Sequence, residues 1–348
     1  MPATNFVKGG LLALTVTLIA MISFEFYVRH EGRKITYDDN EALFADKRAM
    51  VYEPNDKATV FIGSSRIKFD LDIPTWEALT GQDAVQLANV GSSPRPVLED
   101  LANDPKFKGN LIVDVTEGLF FSEFSLYDGS TRKKIAYFKN RTPTQCFSFQ
   151  VDRVLESQFV FLDQNNFSIN AMLDNTRPPA RSGVFPGLYF PWQFGEVTYK
   201  RQSYMTPEFV ADTNMQNQVR AIWAGCGRMP GPPPINGKPL DSLLQTIKLL
   251  TDKIKSRGGN VLFVRTPSSG PVFPGEMAGF PRAGYWEKLL AVTGCKGIFF
   301  TDYPAIAHFQ CPEWSHLSPD QAVVYTKNLV KILKEEKGWT FPGKSGSL

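Results

Sequence analysis

A chain of 348 residues is long enough to bury one large core or two small ones. Its 38 Lys and Arg against 35 Asp and Glu leave a formal charge of +3, and no basic run is interleaved with aromatics, which argues against nucleic acid as a partner. Aromatics make up 13% of the chain and 27 of them are Phe, a composition suited to a globular protein with an apolar cleft or an aromatic-rich surface.

Residues 11–27 read LLALTVTLIAMISFEFY, broken only by Thr, Ser and Glu25. A helix of that length crosses a bilayer, and Glu25 then falls near the interface, where a carboxylate costs less than at the centre. A cleaved signal peptide is the rival reading. It needs small residues at a cleavage site, and Phe24-Glu25-Phe26-Tyr27-Val28-Arg29 makes a poor one. The favoured reading is an uncleaved anchor over 1–28, followed by a polar stalk over 29–57. Lys8 precedes the span and Arg29, Arg33 and Lys34 follow it. These flanks do not place the following domain outside the cell, and mildly argue the reverse.

Ala58 to Ile62 is a β-branched run ending at Gly63, a first strand. Asp72 and Pro74 open a helix that stops at Gly81. Ala84 to Val90 reads as a second strand stopped by Gly91, Pro96 to Leu101 as the start of a helix, and Leu111 to Val115 as a third strand. The stretch from about 120 to 238 is an insertion rich in Phe, Tyr, Pro and Gly, with Gly231-Pro232-Pro233-Pro234 and a helix expected from Pro207 to Trp223. It is either surface packed by its own aromatics or, by a small margin, a lid or acceptor platform over a site. Leu240 to Ser256 has apolar residues at 240, 243, 244, 247, 250 and 254, the helical spacing. Asn260 to Arg265 and Gly297 to Thr301 are further strands, and Ser318 caps a last helix from Pro319 to Lys334. Strands alternating with helices predict a parallel sheet covered on both faces.

A serine just after a strand, Ser65, can sit at the strand's C-terminal end, where open α/β sheets place their sites. Near the other end of the chain stands His316, with Glu313 three residues before it. Such a trio can activate a hydroxyl for attack on an acyl carbon. Taken alone, Ser65 is a common turn serine. Of three histidines, His30 lies at the membrane edge and His308 is the competing base, while Asp302 is the rival orienter. Arg66 and Arg95 flank the position and read as solvated rather than functional. Cys146, Cys226, Cys295 and Cys311 show no metal-ligand spacing. Two disulfides and free thiols both fit. A Cys295–Cys311 bridge would hold the His316 loop.

These motifs resemble the SGNH/GDSL hydrolase superfamily. Gly63-Ser64-Ser65 is similar to its Gly-Asp-Ser block, Asn89-Val90-Gly91 to its second block, and Glu313-Trp314-Ser315-His316 to its closing Asp-x-x-His block. The third block, Gly-x-Asn-Asp in the family, is Val113-Asp114-Val115-Thr116-Glu117-Gly118 here and lacks the Asn that helps bind the oxyanion. The resemblance covers about 59–118 and 258–336. It implies an α/β flavodoxin-like SGNH three-layer sandwich with a central parallel sheet over 58–340, beside the N-terminal transmembrane helix and the insertion. It makes Ser65 the nucleophile, His316 the base and Glu313 its orienter, with the Ser65 and Gly91 N–H groups as oxyanion donors. It implies no metal and no cofactor.

The expected activity is that of a serine esterase or O-acyltransferase on an acylated cell-envelope polysaccharide or glycopolymer, with a glycan or lipid-linked acyl substrate. The architecture resembles the membrane-anchored branch, which includes the alginate O-acetyltransferase and D-alanyl-lipoteichoic-acid transfer proteins. That likeness puts the domain in the periplasm or outside the cell, with a membrane-bound O-acyltransferase as partner. The alternatives are a non-catalytic SGNH-like domain that binds polysaccharide or a partner, and a plain lipase-like hydrolase.

Overall fold

The computed structural model describes residues 3–54, 57–123, 128–174, 189–227 and 233–342. Gly231-Pro232 of the expected proline run lies outside the described residues. The chain divides into two compact units, one of residues 1–38 with 142–187 and one of residues 39–141 with 188–348.

The first unit contains a helix from Ala3 to His30. Its stretch Phe6–His30 has a mean hydropathy of 2.0 and is long and apolar enough to cross a membrane. The unit also holds a helix Pro143–Glu156, opened by a Thr142/Gln145 capping box, a turn Val160–Leu162 and a short helix Ile169–Asp174.

The second unit is built on strands β1 (Ala58–Ile62), β2 (Asp83–Gln86), β3 (Asn110–Asp114), the two-residue β4 (Glu196–Val197) and β5 (Ser203–Tyr204), β6 (Asn260–Arg265) and β7 (Lys296–Phe299). β4 and β5 form a small antiparallel ribbon. The other five make one parallel sheet in the order β2-β1-β3-β6-β7. This is the doubly wound order that grows outward in both directions from β1, so the β1/β3 border is a switch point where the connections part and leave a crevice. Every residue of β1 and β3 is buried. Strand side chains alternate between faces, so full burial means both faces are covered. Helices Arg95–Asn103, Gly237–Lys255 and Trp286–Thr293 pack in one group, and Ser65–Asp70, Ile73–Thr80 and Pro319–Glu335 in another.

Local chemistry places the helix ends as the sequence suggests. Asp72 accepts the Thr75 N–H at 2.9 Å, Gly81 closes that helix with φ 69°, and Ser318 forms a capping box with Gln321. The stretch 29–57 differs from a stalk. The N-terminal helix runs on to His30, and Glu41–Ala49 is a helix that buries Leu43, Phe44 and Ala45. Arg48 on that helix reaches Asp100 at 2.7 Å and Asp104 at 2.9 Å.

Gly63 ends β1 against β3. A Cβ there would lie 2.7 Å from both Asp114 Cβ and Ile67 Cγ2. Gly63→Ala should therefore destabilise the fold by about 1–3 kcal/mol. Urea unfolding checks this, and a loss below about 0.5 kcal/mol would mean that the β1–β3 contact relaxes freely.

Candidate active site

The end of β1 turns through Gly63 and Ser64 into the short helix Ser65–Asp70, which leaves Ser65 partly exposed just past the C-terminal end of β1. His316 arrives from the loop between β7 and the last helix and is buried. Its Nε2 lies 2.8 Å from Ser65 Oγ, and its Nδ1 lies 2.9 Å from Glu313 Oε1. The same Glu313 oxygen accepts the His316 backbone N–H at 2.6 Å and the Ser315 N–H at 3.3 Å. Its second oxygen accepts the indole N–H of Trp223. The carboxylate is fully buried, and backbone and indole N–H groups donate to both of its oxygens.

The loop that presents this pair is strained. Trp314, between Glu313 and His316, has φ 79°, a conformation that costs a bulky residue roughly 1–3 kcal/mol. Its carbonyl accepts the Ser269 N–H at 2.8 Å, and its indole fills the space beside Gly270, where a Cβ would stand 2.4 Å from Trp314 Cδ1. The tight turn folds Glu313 back over the Ser315 and His316 amides. Cys295 and Cys311 are buried and unbridged, and Cys146 and Cys226 are also free thiols. The Cys311 N–H donates to Ser269 Oγ at 3.0 Å, so the loop is tied by hydrogen bonds.

The rival residues stand elsewhere. Asp302 pairs with Arg282 at 2.5 and 2.7 Å, and exposed His308 contacts the Pro304 carbonyl. Gly91 follows β2 with φ 63°. Among the described residues neither the Gly91 nor the Ser65 backbone N–H is paired, which leaves both free to donate.

Arg66 and Arg95 both have protein partners, and Arg95 is half-buried. Arg66 is buried. It donates to Ser315 Oγ at 3.3 Å and forms an ion pair with Glu276. Burial opposes its charge, but the Glu276 carboxylate more than offsets this and raises its pKa. Glu276 also pairs with Arg265, which in turn donates to Glu117 at 3.0 Å and to Ser268 at 2.7 Å. Two arginines and two glutamates thus form a continuous chain, Arg66–Glu276–Arg265–Glu117, next to Ser65. Arg95 donates to the Ser122 carbonyl at 2.6 Å.

The stretch corresponding to the third block points inward. Thr116 Oγ1 lies 2.7 Å from Ser64 Oγ, and Asp114 accepts from Thr266 at 3.0 Å. Burial raises the Asp114 pKa to about 6, with the Arg66 guanidinium and the Thr266 hydroxyl pulling the other way. The unfolded carboxyl titrates near about 3.9. Between the two values the native state holds a proton that the unfolded chain has lost, so this group makes stability fall as pH rises from about 4 to about 6. Asp114→Asn should lack that part of the slope in urea unfolding across the window. Parallel wild-type and variant curves would contradict it.

Two residues that the sequence gave no reason to select support the site, and both come from the insertion. Trp223 is the indole on Glu313. It also stands 6.2 Å from the imidazole ring, and Phe69 and Phe194 stand 4.6 and 5.6 Å from it. Arg201 sits at φ 63° and is fully buried. It donates to Asp39 at 2.6 Å, to the Gln86 and Ala88 carbonyls at 2.8 and 3.1 Å, and to Asn89 Oδ1 at 2.9 Å. Those bonds fix the loop that carries Gly91. Lys68 and Lys134 share Asp39. Burial lowers Lys68 to about 8 despite that partner, whereas Asp39, though buried, is held well below the usual carboxylate range by the three cations.

Among the described residues no group of three or more His, Cys, Asp or Glu is placed to hold a metal. Compared with known proteins, the chain matches no family model and no curated sequence.

Proposed function

We propose that the chain is a membrane-anchored serine esterase or O-acyltransferase of the SGNH type, acting on an acylated cell-envelope polysaccharide or glycopolymer. The observation that carries this reading is the unbroken contact chain from Ser65 Oγ through both ring nitrogens of His316 to the buried Glu313 carboxylate. The strand order β2-β1-β3-β6-β7, with Ser65 at the β1/β3 switch point, supports it.

In this scheme Ser65 Oγ attacks the acyl carbonyl carbon and its proton passes to His316 Nε2. Glu313 holds the Nδ1 proton in place and stabilises the imidazolium that forms. The carbonyl oxygen becomes an oxyanion facing the free N–H groups of Ser65 and Gly91. As the tetrahedral adduct collapses, His316 returns its proton to the departing alkoxide and the acyl group stays on Ser65. A sugar hydroxyl or water then attacks the ester, gives its proton to His316, and Ser65 leaves as the free hydroxyl. None of these steps calls for a metal or an organic cofactor. The helix Ala3–His30 holds the protein at the membrane, with the domain outside the cytoplasm and a membrane-bound O-acyltransferase as the expected source of acyl groups.

A second reading, glycan or partner binding without turnover, is favoured by one observation. The stretch Val113–Gly118 offers no side-chain amide to the oxyanion, and its Thr116 hydroxyl is engaged by Ser64. A fluorophosphonate probe separates the two readings. The wild type should be labelled and Ser65→Ala should not. Failure to label a folded wild type, or equal labelling of both, sinks the catalytic reading.

A further inference from the structure

We infer that the insertion segment 143–173 lies in the membrane interface, its exposed apolar face embedded at the headgroup–acyl boundary beside the anchor. This rests on helix Ala3–His30 crossing the membrane.

The segment is pinned to one end of that helix. The Glu25 carboxylate accepts the backbone N–H groups of Val160 and Phe161, both at 3.1 Å, and Arg29 donates to the Gln158 carbonyl at 2.8 Å. Phe24 packs edge-on against Phe167, with ring centroids 5.5 Å apart. The apolar stretch Phe6–His30 has 25 residues. At ~1.5 Å per residue it is about 37 Å long, against a hydrocarbon core of ~30 Å. Glu25, one and a half turns from its end, therefore lies near the boundary, and so do the amides bonded to it. Exposed Phe24, Phe26 and Tyr27 on the anchor fit the aromatic belt of that zone.

The side chains at this depth are apolar and face outward. On helix Pro143–Glu156 the buried and half-buried positions are Cys146, Phe149, Arg153 and Glu156. On the opposite side Phe147, Val151, Val154 and Leu155 are exposed, Phe147 by 72%. Their spacing of four, three and one residues makes a continuous stripe about 100° wide. The helix Ile169–Asp174 repeats the pattern, with Ile169 exposed by 76% and Leu173 by 66%. A helix that packs one face and shows a second apolar stripe suits the acyl boundary rather than water. Tethering to the anchor means that this stripe always has lipid within reach.

The test uses the full-length chain in vesicles of phosphatidylcholine and phosphatidylglycerol. Cys146→Ser and Cys226→Ser clear the partly exposed native thiols. An environment-sensitive fluorophore is then placed at Val151→Cys, Leu173→Cys, Asp152→Cys or Leu14→Cys, and nitroxide lipids serve as quenchers. Labels at 151 and 173 should shift to the blue and be quenched by a nitroxide high on the acyl chain. The label at 152 should emit as in water, and that at 14 should be quenched by a deep nitroxide. If 14 is quenched and both 151 and 173 are not, the interfacial placement is wrong and the anchor stands. If 14 is not quenched either, the anchor reading fails with it. A blue shift at 151 that lipid nitroxides leave unquenched, and that grows with protein-to-lipid ratio, means a second copy covers the stripe and overturns the proposal.

Discussion

Glu313→Gln should lower turnover by two to four orders of magnitude while leaving the fold intact, as loss of the acid does in other hydroxyl-nucleophile triads. The reason lies in what surrounds the carboxylate. Four donors point at it: His316 Nδ1, the His316 and Ser315 amides, and the Trp223 indole. An amide in its place must aim its own N–H groups at one of these donors. The best compromise keeps the oxygen toward His316 and sets the NH2 group against Trp223. That rotamer preserves the tautomer but not the charge that stabilises the imidazolium. Steady-state turnover of an aryl acetate is the measurement, with the unfolding midpoint as the control for folding. Turnover within threefold of wild type would show that Glu313 is only a loop cap.

Glu276→Ala should cost about 3–5 kcal/mol of stability, because removing one member of a buried ion network leaves the remaining charge uncompensated. Glu276 alone bridges Arg66 and Arg265, and both guanidinium groups are buried. Arg265 keeps Glu117, but among the described residues Arg66 keeps one hydrogen bond, to the Ser315 hydroxyl, and the more distant charges of Glu117 and Asp114. Since Arg66 follows Ser65 and Ser315 precedes His316, turnover should fall with stability if the proposed pair is catalytic. Urea unfolding gives the first effect, and a cycle with Arg66→Met gives the coupling. A loss under about 1 kcal/mol would show that water reaches the network.

Much of the sheet could be read directly from the chain. β1, β3 and β6 are short apolar runs, and Gly or Asn marks an end of each, because a strand buried on both faces needs continuous apolar residues. The second strand was expected to reach Val90 but ends at Gln86. Arg201 takes the Gln86 and Ala88 carbonyls, a contact 113–115 residues away that no local pattern reports. The helix expected over 207–223 is two helices, because Asp212 closes the first and caps the second. The stretch 29–57 read as polar because the buried Phe44 and Leu43 are outnumbered by charged neighbours that pair inside the fold. At the candidate site, Glu313 stands three residues before His316, which marks that pair locally, whereas Ser65 alone reads as a turn serine and Gly91 is singled out only by its resemblance to a family block. Trp223 and Arg201 have no such mark, since an isolated Trp or Arg in a loop-rich insertion carries no periodicity.

Ser65 and His316 stand 251 residues apart in the chain. At ~5–20 residues per second the ribosome needs roughly 13–50 s to travel that distance. Through most of that interval the helix Ala3–His30 and Ser65 have been made, while His316, Glu313 and the last helix have not. The nascent chain thus carries Ser65 without His316, and the hydroxyl gains its imidazole neighbour only near the end of synthesis. Contacts of such long separation also form late in refolding, after the sheet has closed the intervening loops. Recovery of probe labelling should accordingly trail recovery of tertiary structure when the denatured chain is returned to native conditions.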